Sequence, residues 1–203
     1  GRLAPLITAI GVSLLLQNAG QLVFGADPKF FPPLIRSETA LRIGGIAISN
    51  IQIVVLVTAI LLMGGLQYVV QRTRFGRAMR AVSYDAPAAA LMGVPVDRVI
   101  LGTFVLGSCL AAAAGILVGL SNPKIDPLMG LMPGLKAFVA AVLGGIGSIP
   151  GAMLGGILLG VIETLVTGYL SSTYRDAIAF VVLVLILLYR PTGLFGAPQT
   201  EKV

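Results

Sequence analysis

The sequence predicts an all-α integral membrane protein, a polytopic helical bundle with about six membrane segments. Hydrophobic residues make up 57% of the 203 positions and charged residues only 11%, whereas about a quarter of an ordinary soluble domain is charged. A soluble fold of this length cannot hide so much apolar surface from water. The apolar residues are concentrated in six segments, at 3–24, 46–70, 95–120, 135–147, 151–169 and 176–190.

The lengths of these segments predict which of them cross the membrane as complete helices. A bilayer core requires about 20 apolar residues of helix, and the first three segments reach this length. The fourth segment, 135–147, covers only about 20 Å at the 1.5 Å rise per residue of an α-helix. We therefore expect short or broken helices around residues 135–151.

Arginine residues predict how the helices are oriented in the membrane. Five of them lie in or beside the loop between the second and third segments, and short loops rich in Arg and Lys are retained in the cytoplasm. Alternation of the later segments then places the C-terminus in the cytoplasm as well, in a multi-pass membrane protein. The five residues are Arg72, Arg74, Arg77, Arg80 and Arg98.

Composition excludes several kinds of chemistry. The chain has no His and a single Cys, Cys109, so it has no Ser-His-Asp triad, no His-metal site and no Cys cluster for zinc. It has no G-x-x-x-x-G-K-[ST] sequence, the loop that binds ATP phosphates. The net charge is +6, but the charges lie at the ends of apolar segments rather than in a nucleic-acid-binding patch. We therefore predict no catalytic residues, no metal, no cofactor and no nucleic-acid partner.

The loop at 71–98 is too long and too structured for a simple connector. Residues 74–83 are predicted to form a short basic helix, and Asp85 is predicted to cap a second helix that ends at Gly93. Such a small-residue block suits docking into a groove on another protein; the alternative is an interfacial helix whose arginines contact anionic lipid. The candidate coupling residues are Arg74, Gly76, Arg77, Arg80, Asp85, Ala88, Ala89 and Gly93.

Polar side chains lie along one face of the first segment. Ser13, Gln17 and Gln21 are four residues apart and so share a helix face, and Asn18 lies beside them. Amides are costly inside a membrane unless they face a cavity or a neighbouring helix. The stripe therefore predicts either a solute pathway or hydrogen bonds between helices.

Glu163 is the only acidic residue well inside a predicted membrane segment. An ionisable residue at this depth is a candidate for function. Three interpretations are open: it pairs with Lys136 or Arg175 from segments near the outer surface, it bonds to a helix backbone, or it stays protonated.

Glycine residues interrupt the chain between the fourth and fifth segments. Gly144, Gly145 and Gly147 surround a break in a very apolar region, and irregular backbone at membrane depth must be covered by protein or line water. Broken helices with small residues are typical of transport sites; the alternative is a tight cytoplasmic turn. Gly147, Gly151 and Gly155 also recur every four residues, which predicts close packing of helices.

Several of these segments together resemble the permease subunits of bacterial high-affinity branched-chain amino acid ABC importers, of the LivH type. The most specific of them is the run from Lys136 to Gly156, KAFVAAVLGGIGSIPGAMLGG. The resemblance extends over essentially the whole chain. The other residues that carry it are Ala9-Ile10-Gly11, Leu16-Gln17-Asn18, Arg77-Ala78, Arg80-Ala81, Asp97-Arg98-Val99-Ile100, Glu163 and Arg190-Pro191-Thr192-Gly193.

The resemblance implies a single permease domain over 1–203 that corresponds to the C-terminal two-thirds of such a subunit and lacks its N-terminal helices. It implies import of Leu, Ile and Val across the bacterial inner membrane, with a second permease subunit, two cytoplasmic ATPases and a periplasmic substrate-binding protein as partners. Residues 71–98 would be the coupling loop. Ala88, Ala89 and Gly93 echo the Ala-Ala-x-x-x-Gly sequence of importers, although Pro87 stands where that sequence usually has Glu.

Two alternatives to this function remain open. One keeps the class of protein and changes the cargo to another amino acid, an amide or urea. The other is a secondary transporter driven by H⁺ or Na⁺, with Glu163 as its proton site. Such a transporter does not need a structured cytoplasmic block at 71–98.

Overall fold

The structure is a computed structural model of the chain, and it describes residues 4–30, 32, 39–43, 46–190 and 192–196. The predicted cytoplasmic C-terminus and the predicted N-terminal boundary fall on 197–203 and 1–3, outside these ranges. Eight α-helices lie in the described ranges, and a 3₁₀ turn at Ser172–Tyr174 leads into the last of them. They are α1 Ala4–Phe24, α2 Asn50–Arg72, α3 Arg74–Tyr84, α4 Ala86–Leu91, α5 Val96–Ser121, α6 Leu131–Gly144, α7 Ile149–Tyr169 and α8 Arg175–Tyr189.

The fold class is the predicted one, a polytopic helical membrane protein. Helices α1, α2, α5 and α7, and α8 with its 3₁₀ turn, are long and apolar enough to cross a membrane. Helix α6 has 14 residues and covers only about 21 Å, so it is the short segment that the sequence predicts. Large side chains on the long helices remain exposed, such as Leu15, Leu61 and Phe104 at 66%, 68% and 72%. That much apolar surface suits contact with lipid or partner subunits rather than water.

Four short strands are an addition that the sequence analysis does not predict. Strands β2 (Thr39–Ile43) and β3 (Ile46–Ser49) pair as an antiparallel hairpin before α2. Strands β1 (Lys29–Phe30) and β4 (Lys124–Ile125) pair antiparallel and bring together residues from far apart in the chain.

Helix α2 begins at Asn50 and not at the predicted residue 46. The reason is a capping box at its first turn: the Ser49 hydroxyl accepts a hydrogen bond from Ile51 N at 3.3 Å, and Gln52 Oε1 accepts one from Ser49 N at 3.1 Å. This reciprocal Ser-x-x-Gln pattern fixes a helix start. The apolar residues before it belong to β3.

The chain divides into two compact units, residues 1–57 with 108–131, and residues 58–107 with 132–203. The first unit contains α1, the four strands and the ends of α2 and α5 that adjoin them. The second contains the remainder of α2 and α5 with α3, α4, α6, α7 and α8. The single permease domain over 1–203 stays a prediction.

Helices α6 and α7 pack closely, antiparallel, within the second unit. The buried face of α7 consists of residues four apart, Gly151, Gly155, Leu159 and Glu163. A Cβ atom added at Gly151 or Gly155 would collide with the carbonyl oxygen of Gly144 or Ala140 on α6. Small residues therefore permit this backbone contact, as the glycine spacing predicts. Gly147 is the exception, because it lies in the turn before α7.

Candidate functional site

Helices α3 and α4 form the two-helix block that the sequence predicts within 71–98. Asp85 links them: its backbone N–H donates to the carbonyl of Ala81 at 3.1 Å, and its carboxylate accepts from the N–H of Ala88 at 3.0 Å. Pro87 lies in the first turn of α4. Gly93 follows the helix with a φ of +84°, the left-handed conformation that glycine adopts without strain. The predicted helices, cap and stop are all confirmed.

The junction of α2 and α3, which we call the α2–α3 joint, consists of Thr73, Gly76 and Arg80 and the carbonyls that they contact. The Thr73 hydroxyl donates to the Val69 carbonyl at 2.6 Å and accepts from Gly76 N at 3.0 Å. The Arg80 guanidinium donates to the Val70 carbonyl. The Val69 carbonyl also accepts from the backbone N–H of Thr73 at 3.3 Å, whereas the Arg80 bond serves one of the last carbonyls of α2, which have no partner within the helix.

Gly76 is buried in the joint, where no larger residue fits. A Cβ atom there would collide with the carbonyl oxygens of Val69 and Val70, and backbone atoms cannot move aside as a flexible side chain can. Helix α3 also contacts α5, because a Cβ at Gly102 would lie 2.6 Å from Phe75 Cζ. Helix α3 is therefore held against the end of α2 and the side of α5 at once.

Five of the eight predicted coupling residues divide into two groups. Gly76, Arg80 and Asp85 hold the block together. Arg74 and Arg77 are exposed and form no ion pair within the part of the chain that the structure describes.

The small residues of α4 do not all lie on the exposed surface of the block, as docking through them would require. Ala89 is only 5% exposed and packs within the chain, while Ala88 is exposed. The large apolar residues Leu91 and Met92 are 89% and 85% exposed. We call these two residues the tip of the block. The sequence analysis missed them, although an apolar pair immediately before a Gly stop was a visible signal.

The polar stripe on α1 bonds within its own helix. Gln17 Nε2 donates to Ser13 Oγ at 3.2 Å, and Asn18 Nδ2 donates to the Leu14 carbonyl at 2.7 Å. Gln17 and Gln21 are half-buried, while Ser13 and Asn18 are exposed. Gln17 also lines a cavity at the C-terminal end of α1. A role of the stripe in a solute pathway stays a prediction.

Glu163 pairs with both of the cations that the sequence offered as alternatives. Lys136 Nζ lies 2.9 Å from Glu163 Oε1, and Arg175 Nε lies 2.9 Å from Glu163 Oε2. Lys136 Nζ also lies 2.8 Å from Asp176 Oδ1. We call these four residues the charge cluster.

The charge cluster is electrically neutral and joins three helices. Glu163 on α7 is 5% exposed, so its carboxylate would be costly without partners. Lys136 on α6, and Arg175 and Asp176 at the start of α8, supply two cations and a second acid. Within the described ranges, no group of three or more acidic or Cys side chains is placed to hold a metal ion.

The glycine-rich break at 144–148 is a tight turn between α6 and α7. Gly145 and Gly147 have φ values of +102° and +96°, and Ser148 caps α7 by accepting from Gly151 N at 3.1 Å. The segment after α8 covers the turn, since Phe195 N donates to the Gly144 carbonyl at 3.1 Å. Gly144 and Gly145 therefore serve packing, and their role in a pathway stays a prediction.

Comparison with known proteins gives one family. Residues 3–187 match the family described as branched-chain amino acid transport system / permease component. The whole chain aligns with the high-affinity branched-chain amino acid transport system permease protein BraD of Pseudomonas aeruginosa at 46% identity, and with the corresponding protein LivH of Escherichia coli K12 at 44%. The chain spans 67% of the length of each.

More distant similarity extends to a permease with a different cargo in its name. The xylose transport system permease protein XylH of Escherichia coli K12 is 32% identical over 52% of this chain and 28% of its own length. No solved structure matches the chain.

Proposed function

Because the chain belongs to the family of permease components of branched-chain amino acid transport systems, we propose that it is a membrane subunit of an ATP-driven importer for leucine, isoleucine and valine in the bacterial inner membrane. The similarity over the whole chain to permeases named for these amino acids carries the proposal. The cargo is a neutral zwitterion, which needs few fixed charges along its path. Helix α1 carries no charged residue, and α2 and α7 carry one each, which suits such a cargo.

In this proposal the chain performs no chemistry of its own and works with four kinds of neighbour. A second permease subunit completes the pathway, two cytoplasmic ATPase subunits supply the energy, and a periplasmic binding protein delivers the amino acid. Anionic lipid surrounds the basic loop. The absence of a phosphate-binding loop from this sequence is consistent with hydrolysis on separate subunits.

The tip of the α3–α4 block is the proposed docking surface for an ATPase subunit. Exposed large apolar side chains mark surfaces that partners cover, and Leu91 and Met92 lie side by side at the end of α4. The exposed Arg74 and Arg77 on α3 would then face lipid headgroups or acidic groups of the partner. Ala89 supports the block from within.

The α2–α3 joint supports a mechanism for transmission. The joint bonds α3 directly to the last turn of α2, and Phe75 packs on Gly102 of α5. A displacement of α3 by a moving ATPase would therefore displace two membrane helices without an intervening flexible loop. Alternating access requires such rigid-body movement of membrane helices.

The orientation of the protein is part of the proposal. The five arginines at 72–98 support a cytoplasmic position for the block. If α1, α2 and α5 each span, the β1–β4 ribbon and the end of α1 lie on the opposite, outer side. The charge cluster argues against the ion-coupled alternative, because the carboxylate that would serve as its proton site is engaged by Lys136 and Arg175 within the chain.

One experiment on the intact transporter tests the proposed function. The full-length subunit is purified with its neighbours, reconstituted into vesicles with the binding protein, and assayed for leucine uptake. We expect ATPase subunits to co-purify, and uptake to require internal ATP and to survive an uncoupler. Uptake that the uncoupler abolishes would support the ion-coupled alternative instead.

The tip is tested by Leu91→Ser with Leu22→Ser as its matched control. Both leucines are almost fully exposed, at 89% and 87%, but Leu22 lies on α1, whose C-terminal end is outside the cell in the proposed orientation. A buried Leu contact contributes about 1.5–3 kcal/mol, so Leu91→Ser should weaken ATPase binding by roughly tenfold or more. Equal ATPase binding by both variants would contradict docking at the tip.

A further inference from the structure

A cavity of about 500 Å³ lies at the C-terminal end of α1. The last turns of α1 form one wall, and the β1–β4 ribbon with the residues beyond β4 forms the other. Gly25, with a φ of +86°, turns the chain from α1 toward β1. The apolar part of the lining consists of Leu16, Phe24, Phe30, Ile125 and Pro127.

Charged groups of both signs line the same cavity. Asp27 and Lys29 take part in no ion pair within the described residues. Asp126 has one carboxylate oxygen engaged by Leu128 N at 2.9 Å. Gln17 donates to Ser13, and its amide oxygen accepts no hydrogen bond from any residue that the structure describes. The cavity therefore offers acceptors for an ammonium and a donor for a carboxylate.

We propose that this cavity is an outer binding site for the transported amino acid, an inference that rests on the proposed function. The α-ammonium binds to the Asp27 carboxylate and the Gln17 amide oxygen, and the α-carboxylate binds to the Lys29 ammonium. The aliphatic side chain packs against Leu16, Phe24 and Ile125. The polar stripe of α1 thereby contributes Gln17 to the start of the pathway.

The chemistry of the lining selects this class of ligand. Small-molecule sites are typically apolar cavities of about 300–1,000 Å³ with a few polar groups that fix orientation. A free anion would be repelled by the carboxylates of Asp27 and Asp126. An uncharged sugar would leave Lys29 and Asp27 without charged partners. A zwitterion with an aliphatic side chain satisfies both signs and the apolar wall.

The exposure of the charged side chains also suits a site that binds its ligand only transiently. Asp27 and Lys29 are exposed, and exposed ion pairs contribute little free energy because water screens them. Transport requires binding that is strong enough for entry and weak enough for release. We therefore expect weak binding here, with the apolar wall supplying most of the affinity.

Gly20 provides a way to fill the cavity without disturbing the helix. It lies on the cavity wall, and a Cβ atom added there would meet nothing within 4 Å. A leucine at this position therefore extends into the cavity. Gly11 on the same helix is equally open and lies nine residues away, on the opposite face at 100° per residue. The matched pair of variants is Gly20→Leu and Gly11→Leu.

Lys29 and Lys124 provide a second matched pair. They lie on the two paired strands of one ribbon, but only Lys29 lines the cavity. Lys29→Gln and Lys124→Gln remove the same charge from neighbouring positions. If Lys29 binds the α-carboxylate, only its loss should reduce the preference for leucine over leucinol, the analogue whose carboxylate is replaced by an alcohol.

The experiment uses the complete transporter in vesicles, with labelled leucine as the probe. Equilibrium binding is measured without the binding protein, and uptake with it. Gly20→Leu should lower leucine binding and uptake by roughly tenfold or more, about 1.4 kcal/mol, while Gly11→Leu stays near wild type. Lys29→Gln should reduce the ratio of leucine to leucinol affinity several-fold, and Lys124→Gln should leave it unchanged.

Two results would overturn the site while leaving the proposed function intact. One is equal leucine binding and uptake by Gly20→Leu and Gly11→Leu in a transporter whose wild type takes up leucine. The other is the same leucine-to-leucinol ratio in Lys29→Gln and Lys124→Gln. A wild-type transporter that takes up no branched-chain amino acid would instead overturn the proposed function, and the site with it.

Discussion

The α2–α3 joint and the charge cluster both hold one helix against another, but they use different chemistry. At the joint, backbone carbonyls of α2 contact Gly76 and accept hydrogen bonds from Thr73 and Arg80. In the charge cluster, four ionised side chains connect α6, α7 and α8. The joint therefore depends on volume, and the cluster depends on charge.

The difference follows from where along each helix the contact lies. The last carbonyls of a helix have no partner within it and must find one elsewhere, so the end of α2 offers its backbone to α3. Glu163 lies inside α7, where the backbone is already hydrogen-bonded, so a connection there requires side chains. In a membrane, a buried side chain with a charge requires a counter-charge.

The largest effect is expected from Glu163→Leu, which removes the centre of the charge cluster. Lys136 and Arg175 would then lose the buried carboxylate that they share. Breaking a fully buried pair costs about 3–5 kcal/mol, and we expect the lower end of this range because Arg175 is 58% exposed and Lys136 keeps Asp176 as a partner. The thermal stability of the purified complex and the yield of assembled complex should both fall. A wild-type melting temperature for Glu163→Leu would contradict the structural role of the cluster.

Glu163→Gln separates charge from hydrogen bonding at the same position. The amide oxygen still accepts hydrogen bonds from Lys136 and Arg175, but it supplies no negative charge. We expect a melting temperature between those of wild type and Glu163→Leu, with leucine uptake reduced no more than the amount of assembled complex. A fully assembled Glu163→Gln complex without uptake would instead support the proton-coupled alternative.

A smaller effect is expected from added volume at the joint. Gly76→Ala places a Cβ atom against two carbonyl oxygens of α2, and overpacking typically costs about 1–3 kcal/mol. The matched control is Gly64→Ala inside α2, where a Cβ meets nothing within 4 Å and the gain over Gly is about 0.5–1 kcal/mol. The two variants should shift the melting temperature of the complex in opposite directions. A shift in the same direction for both would show that the joint has room.

The sequence predicts those features of the block that depend on neighbouring residues. Asp85 and Gly93 act on backbone within a few positions of themselves, so their roles as cap and stop follow from residue type and spacing. The phase of the six-residue helix α4 depends on what it packs against, which is why Ala89 lies inside and Leu91 outside. The amino-acid composition of α4 does not reveal which part of the chain the helix packs against.

The β1–β4 ribbon depends on partners that are far apart in the chain. The β1–β4 ribbon pairs two residues with two others, which is too short for a recognisable strand pattern, so neither the ribbon nor its cavity follows from the sequence. The start of α2 is different, because Ser49 and Gln52 were a readable capping signal. For Glu163 the sequence offered two cations, and the packing of α6, α7 and α8 brings both of them to its carboxylate.

The smallest effect is expected at the edge of the charge cluster, from Asp176→Asn. Asp176 is 54% exposed at its side chain, whereas Glu163 is 6% exposed, and water and salt screen exposed pairs far more than buried ones. Asp176→Asn should therefore lower the melting temperature of the complex only slightly at low salt, and not measurably at about 1 M salt, where the Debye length is about 3 Å. The loss caused by Glu163→Leu should persist in larger part at both salt concentrations, because the Glu163 carboxylate itself is only 6% exposed and is screened less than that of Asp176. If the two variants lose the same stability and respond equally to salt, the cluster behaves as one exposed network, and the contrast between its buried centre and its exposed edge is wrong.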